Sequence, residues 1–485
     1  MMSTSKMSVG FVVFVSVLGV FASVRSAETR PTKVKTEIAG SNERREAEHR
    51  RLTEEGERSS RVRPPLPSKP SPNNGIEDIS IEKVLSVIGP SPKENGRTVQ
   101  DARGPLGPSA VNPLKVACRM KAFLEVKWIV CFHDMGKKAL WIGPVLLQRT
   151  PSSPWIKVIH LAGLADIFVP YHLTNFRPYD LRWTTQLNQV TSADSGPSGN
   201  TVVLTNETLP TVVTEVRDRG IGWLCHQTTA ATRRAEEFLV WGISDAGNYD
   251  NIIQYGFRDD GTMTFRMGNT GYNSPGSPFE NHMHNGLWRV DMDINGALGD
   301  TAYWLRHIEP FPLLPQATEY KFPFNVEGRR VWSGPRFTSV LVEDAAVNFF
   351  GNKLGYEFMP IQQGVSRHFD TQELWTQRDF YVTRYDPNEL GWIADSGTTV
   401  STIYGPIVGT GWNNPDNYLL PQISNLQSTN NKDLVTWVKA AVHHAPTDED
   451  RSSGIDNVTL THWSGFDLVP HNLFDANPLS ATPCS

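Results

Sequence analysis

The chain has 485 residues, 46 Lys and Arg against 51 Asp and Glu, a formal charge of −5 and 39% hydrophobic residues, enough to bury a large core. The near balance of charge excludes the basic excess by which nucleic-acid binders hold phosphates. Four cysteines, none in a C-x-x-C pair, exclude a small disulfide scaffold and a thiolate zinc site, so any metal must be held by His and carboxylates.

In chain order, Lys6 precedes an apolar run from Val9 to Val24 and then Arg25-Ser26-Ala27, the pattern of a secretory signal peptide over 1–26. The protein is therefore expected to be secreted. No Phe, Tyr or Trp occurs from Ala22 to Ala122, and Glu28 to Pro70 holds 11 basic and 8 acidic residues ending in a Pro-rich stretch. Such a segment cannot bury enough apolar surface to offset its chain entropy. Residues 27–112 are expected to be a disordered charged leader, with one short helix at Ile79 to Ile88, where Ile81, Val84, Leu85 and Ile88 recur at helical spacing.

From 113 to 485 the pattern is mainly β. Phe238 to Trp241 leads into Ile252 to Phe257, Asp259-Asp260-Gly261 and Met263 to Met267, a hairpin with a Gly-containing turn. Trp288 to Ile294 alternates before Asn295-Gly296, and Asp433 to Val438 reads as a buried strand. Asn206-Glu207-Thr208 and Asn457-Val458-Thr459 are glycosylation acceptors, in keeping with export.

His282 and His284 stand two apart, so on a strand both imidazoles share one face. One member of His443-His444 is a candidate third ligand. Three imidazoles with an open position suit Cu(II) or Zn(II). Asp291 and Asp293 are odd-numbered, so an uninterrupted strand turns them away from the even-numbered histidines; Asp433 and His444, eleven apart, are opposed in the same way. Two metal positions follow, a nitrogen site within and an oxygen site for a hard cation behind it, provided no bulge at Gly286 shifts the register. Tyr249, with the parity of Ile253, Tyr255 and Phe257, points inward.

Asn248-Tyr249-Asp250-Asn251, followed by His282-Met283-His284 and Asp291-Met292-Asp293, resembles in order and type the copper-containing amine oxidases. Leu164 to Tyr171, Asp379 to Tyr385, Asp433 to Trp437 and Gly465 to Phe474 extend the resemblance from about residue 115 to the end. The resemblance implies a large antiparallel β-sandwich that dimerises with itself, Cu(2+) on His282, His284 and His444, and topaquinone made from Tyr249. It further implies oxidation of a primary amine by O2 to aldehyde, ammonia and hydrogen peroxide, with Asn248 beside the cofactor. His444 rather than His443 is implied because the family's ligand stands two residues before a proline, here Pro446. Asp180 is implied as the catalytic base, ahead of Asp166 and Asp218, and a peripheral Ca(2+)-type site at Asp291, Met292, Asp293, Asp433 and Leu434. Tyr179-Asp180-Leu181-Arg182 departs from the family's sequence around its base. A secreted inactive homologue acting through metal binding or an interaction is the alternative reading.

Overall fold

The computed structural model describes residues 75–88, 93–94, 97–98, 115–136, 139–169, 187–225, 231–246, 248–273, 280–308, 318–361, 374–385, 426–450 and 458–480. The chain begins with β1 (Ile76–Ile79) and the helix α1 (Ile81–Ile88), then β2 (Lys93–Glu94), β3 (Arg97–Thr98), β4 (Val116–Ala122), β5 (Lys127–Asp134), β6 (Leu140–Gln148) and β7 (Trp155–Phe168). There follow β8 (Asn200–Val202), β9 (Val212–Cys225), β10 (Ala231–Asp245), β11 (Tyr249–Arg258), β12 (Met263–Tyr272), β13 (His282–Met292) and β14 (Thr301–Ile308). The last strands are β15 (Thr318–Pro323), β16 (Gly328–Arg330), β17 (Thr338–Val347), β18 (Lys353–Pro360), β19 (Phe380–Arg384), β20 (Leu434–His444) and β21 (Val458–His471).

Two antiparallel sheets contain nearly all of these: nine strands in the order β1-β4-β5-β6-β7-β13-β20-β19-β16, and ten in the order β15-β14-β17-β18-β21-β12-β11-β10-β9-β8. Alternation turns the apolar residues of each toward the other. Trp288 of β13 lies edge-on to Tyr255, Phe265 and Phe466 of the second sheet, with ring centroids 5.9, 5.7 and 6.0 Å away. Trp128 of the first sheet donates its indole N–H to the Arg258 carbonyl at 2.9 Å, and Tyr255 donates its hydroxyl to the Leu140 carbonyl at 2.6 Å. Buried aromatics can thus keep their polar atoms satisfied across the sandwich.

The β13–β20 register runs from His282↔His444 to Met292↔Leu434 without a shift, so Gly286 introduces no bulge there. Irregularities appear instead against β7, beside Leu287/Trp288 and Asp291/Met292. Both central strands are buried almost throughout, so their outer face is not a solvated one.

The N-terminal boundary differs from the expectation. β1 pairs with β4 from Ile76↔Lys121 to Ile79↔Cys118. Val84 of α1, fully buried, packs with Cys118, Cys131 and Leu146. The helix foreseen from its spacing is present, but it and β1 belong to the folded domain rather than to a leader ending at 112, because that apolar stripe packs across the face of β4, β5 and β6. Cys118 and Cys131, facing each other across β4 and β5, form a disulfide, and Cys225 is disulfide-bonded as well.

His133, on β5, is buried and held by the Gly143 carbonyl. Burial pushes its pKa down to about 4. The unfolded chain therefore binds a proton that the folded chain refuses between about pH 6.5 and 4, and stability falls as the pH drops through that window. At pH 4.5 this one group should cost about 2–3 kcal/mol relative to pH 8. Denaturant unfolding should show His133→Gln losing that much less stability than the parent between the two pH values; equal losses would refute the assignment.

Candidate active site

Tyr249 opens β11 and faces into the sandwich, 3% exposed. Its partner across the ladder is Gly271, with φ of +108°. A Cβ at Gly271 would stand 2.5 Å from the Asn248 carbonyl and 3.0 Å from the Tyr249 Cα, so only glycine admits this approach. Asn248 lies at the rim of the site and donates its amide to the Tyr272 carbonyl at 2.8 Å.

The parity argument places the histidines as expected. His282 and His284 of β13 and His444 of β20 bring one ligand atom each to within 4.8 Å of one another, all buried. The Tyr249 ring is 4.6 Å from the His284 ring and 5.7 Å from that of His282, edge-on to both.

Outer hydrogen bonds set the tautomers. His282 Nδ1 donates to the Glu280 carbonyl at 2.8 Å, leaving Nε2 with its lone pair turned inward. His444 Nε2 faces Asp450 Oδ2 at 3.1 Å, leaving Nδ1 inward. These inward nitrogens are 3.3 Å apart. The Tyr249 hydroxyl donates to Asn273 Oδ1 at 2.8 Å and lies 2.8 Å from His282 Nε2 and 3.2 Å from His444 Nδ1. One hydroxyl proton cannot serve three acceptors. A cation among them satisfies all, which is the donor set and tautomer pattern of a transition-metal site.

Electrostatics agree. Burial first, then neighbouring imidazoles, push His282 down to about 4 and His284 well below the usual histidine range, keeping both neutral as ligation requires. Burial alone would raise Asp450, yet the hydrogen bonds from the Thr447 N–H and His444 outweigh it and hold the carboxyl below its ordinary value. His462 of β21 lies tilted against His444 with centroids 4.2 Å apart.

On the opposite face, Asp291, Asp293 and Asp433 converge to within 4.8 Å, with Met292 and Leu434 paired across the same ladder. Lys157 meets Asp293 and Arg289 meets Asp291 there. Sequence reasoning missed Lys157 and Arg289, as it missed Asn273, Glu280, Asp450 and His462; only Asp450, in the acidic run after His444, had a local signal. Asp180 lies outside the described residues. Asp218 is exposed and paired with Arg234 at 2.7 Å, and the Gly220 N–H and Arg234 hold it below the carboxylate range, which unsuits it as a base.

Residues 215–485 match the family described as copper amine oxidase, enzyme domain, and the chain belongs to that family. Among curated relatives, the peroxisomal copper-containing amine oxidase alpha 2 of Arabidopsis thaliana is 24% identical over 291 residues, covering 50% of this chain and 38% of that protein. The copper-containing amine oxidase gamma 2 of the same plant is 25% identical over 287 residues, covering 51% and 39%. The chain thus spans about two fifths of these relatives. A copper-containing benzylamine oxidase from Hansenula polymorpha shares the fold with a TM-score of 0.56 at 17% identity, over 76% of this chain and 61% of that one.

Substituting Gly271→Ala should push the backbone at Tyr249 out of place while sparing the three histidines. Copper stoichiometry by metal analysis should stay near one per chain, whereas His282→Ala should weaken copper binding by about 10- to 100-fold or more. Unchanged affinity in His282→Ala would refute the assigned donor set.

Proposed function

We propose that the chain is a copper-dependent oxidase of primary amines, consuming O2 and yielding aldehyde, ammonia and hydrogen peroxide, with Tyr249 as the precursor of topaquinone. One observation carries this reading: a buried tyrosine hydroxyl shares a pocket with inward lone pairs of His282 and His444. A zinc hydrolase using three histidines and a bound water has no need of that tyrosine.

Copper and the quinone, once in place, supply an electrophilic carbonyl and a path for two electrons from the amine to O2. The chain supplies the rest. His282, His284 and His444 hold the metal, and Glu280 and Asp450 fix which nitrogen of His282 and of His444 turns to it. Asn273 accepts a hydrogen bond from the Tyr249 hydroxyl and orients the ring. Tyr249 and the three histidines are buried, so polar interactions in the pocket are little screened by water. Asp180 is our candidate for the base that takes the substrate's α-proton, a role that needs a carboxyl raised by burial.

Export to an oxidising compartment is the localisation we favour. The signal-like N-terminus, the Cys118–Cys131 disulfide and the exposed acceptor Asn206 support it. A homodimer accords with the family.

Protein loaded with Cu(II) in air should develop a visible chromophore and a positive redox-cycling quinone stain, while Tyr249→Phe binds copper without either. Amine-dependent hydrogen peroxide should follow, with Asp180→Asn lowering kcat by about 10²-fold or more. Bound copper with no quinone in the parent would overturn the oxidase reading and favour the inactive homologue.

A further inference from the structure

Behind the histidines, Asp291 and Asp293 are fully buried and Asp433 is 7% exposed, with ligand atoms within 4.8 Å of one another. Their residue types call for a hard divalent ion, which takes about six to eight oxygens at roughly 2.3–2.6 Å. The space is already claimed. The Lys157 ammonium lies in direct contact with Asp293 Oδ2, its side chain 11% exposed and the carboxylate not at all. Arg289 Nη2 sits 3.3 Å from Asp291 Oδ2, and its guanidinium lies over the rings of Tyr385 and Trp437 at 5.8 and 5.9 Å.

We infer that Lys157 is the resident cation of this outer cluster, which folds around an ammonium and a guanidinium in place of a divalent metal. Three arguments converge. The first is placement: the Lys157 carbonyl accepts from the Asn295 N–H at 2.9 Å and the Val158 carbonyl from the Asp293 N–H at 3.2 Å. The lysine stem therefore starts beside the strand end that carries Asp293. The second is charge: two fixed cations nearly neutralise three carboxylates, and a divalent ion added at the same place would meet both at short range in a low dielectric. The third is geometry: an ammonium seated on one of three carboxylates occupies the coordination space that a calcium-sized ion needs.

This inference is independent of the oxidase reading, and its test uses no turnover. Full-length protein dialysed against EGTA, then passed through gel filtration with Ca2+ as the probe, should retain no calcium by elemental analysis. Its thermal midpoint in EGTA should lie within about 1 °C of that in about 1 mM Ca2+, as expected where no ligand binds the native state. Lys157→Gln, which removes the ammonium but keeps a polar stem, should melt lower in EGTA, recover in Ca2+ and retain about one calcium per chain. Lys157→Arg should behave as the parent. If Lys157→Gln is recovered folded only when Ca2+ is present, that too supports the assignment. A parent protein that keeps about one calcium after EGTA, or whose midpoint falls in EGTA, overturns it, as does a Lys157→Gln variant that stays indifferent to Ca2+.

Discussion

The unbroken ladder between β13 and β20 is the constraint from which both polar centres follow. Because each step along a strand reverses the side-chain direction, the eleven paired positions from His282↔His444 to Met292↔Leu434 sort the two strands into an imidazole face and a carboxylate face. A slip of one residue would exchange them, placing carboxylates against Tyr249 and histidines in the outer cluster. Packing on both sides opposes the slip. Trp288 is wedged among Tyr255, Phe265 and Phe466 within, and Arg289 is clamped by Trp437 and Tyr385 without. The register shifts of β13 fall in its pairing with β7, where they leave this ladder alone.

The two faces solve the burial of polar groups differently. Inside, the groups that face the pocket are neutral: imidazoles pushed toward their uncharged form by burial, that of His282 held by the Glu280 carbonyl, and a hydroxyl bonded to the Asn273 amide oxygen, with the Asp450 carboxylate behind His444. Outside, the groups are ionic, with Lys157, Arg289 and Lys439 set against Asp293, Asp291 and Asp379, all at least largely withdrawn from water. Neutral acceptors converging on one point leave a demand for a cation, whereas an ionic layer supplied with its own cations does not. Deleting one partner from the ionic layer exposes the cost of the other, so its contribution lies in register and specificity more than in net stability.

Much of this was legible in the sequence, because period-two patterning carries through a long strand. Tyr249, His282, His284, His444, Asp291, Asp293 and Asp433 fall where parity and the family motif put them. What escaped was set by tertiary approach. Lys157 and Asp293 are distant in sequence and meet only because β7 runs beside β13. Asn273 follows the end of β12 and reaches Tyr249 across the hairpin, and His462 is brought to His444 by β21. The disulfide was equally silent until β4 and β5 were paired in register. The early boundary was missed because the four-residue strand stands next to a long charged run whose composition masks it, and because the spacing that marks the helix does not say which sheet its apolar stripe packs on.

The distribution of site residues along the chain separates two capacities. Every donor of the inner centre, with Tyr249, Asn273 and Asp450 around it, lies within the stretch matched to the family's enzyme domain and on or beside the rigid strands of the sandwich. Metal capture and modification of the tyrosine, on the proposed reading, draw on that stretch alone. Proton abstraction from a substrate, on the same reading, draws on Asp180, which precedes the matched residues and sits in a sequence context unlike the family's. A site held by strands keeps its geometry while the segment bearing the base diverges, so selection can alter or silence turnover without touching the metal centre. On that reading, cofactor content and catalytic rate are separable properties of this scaffold.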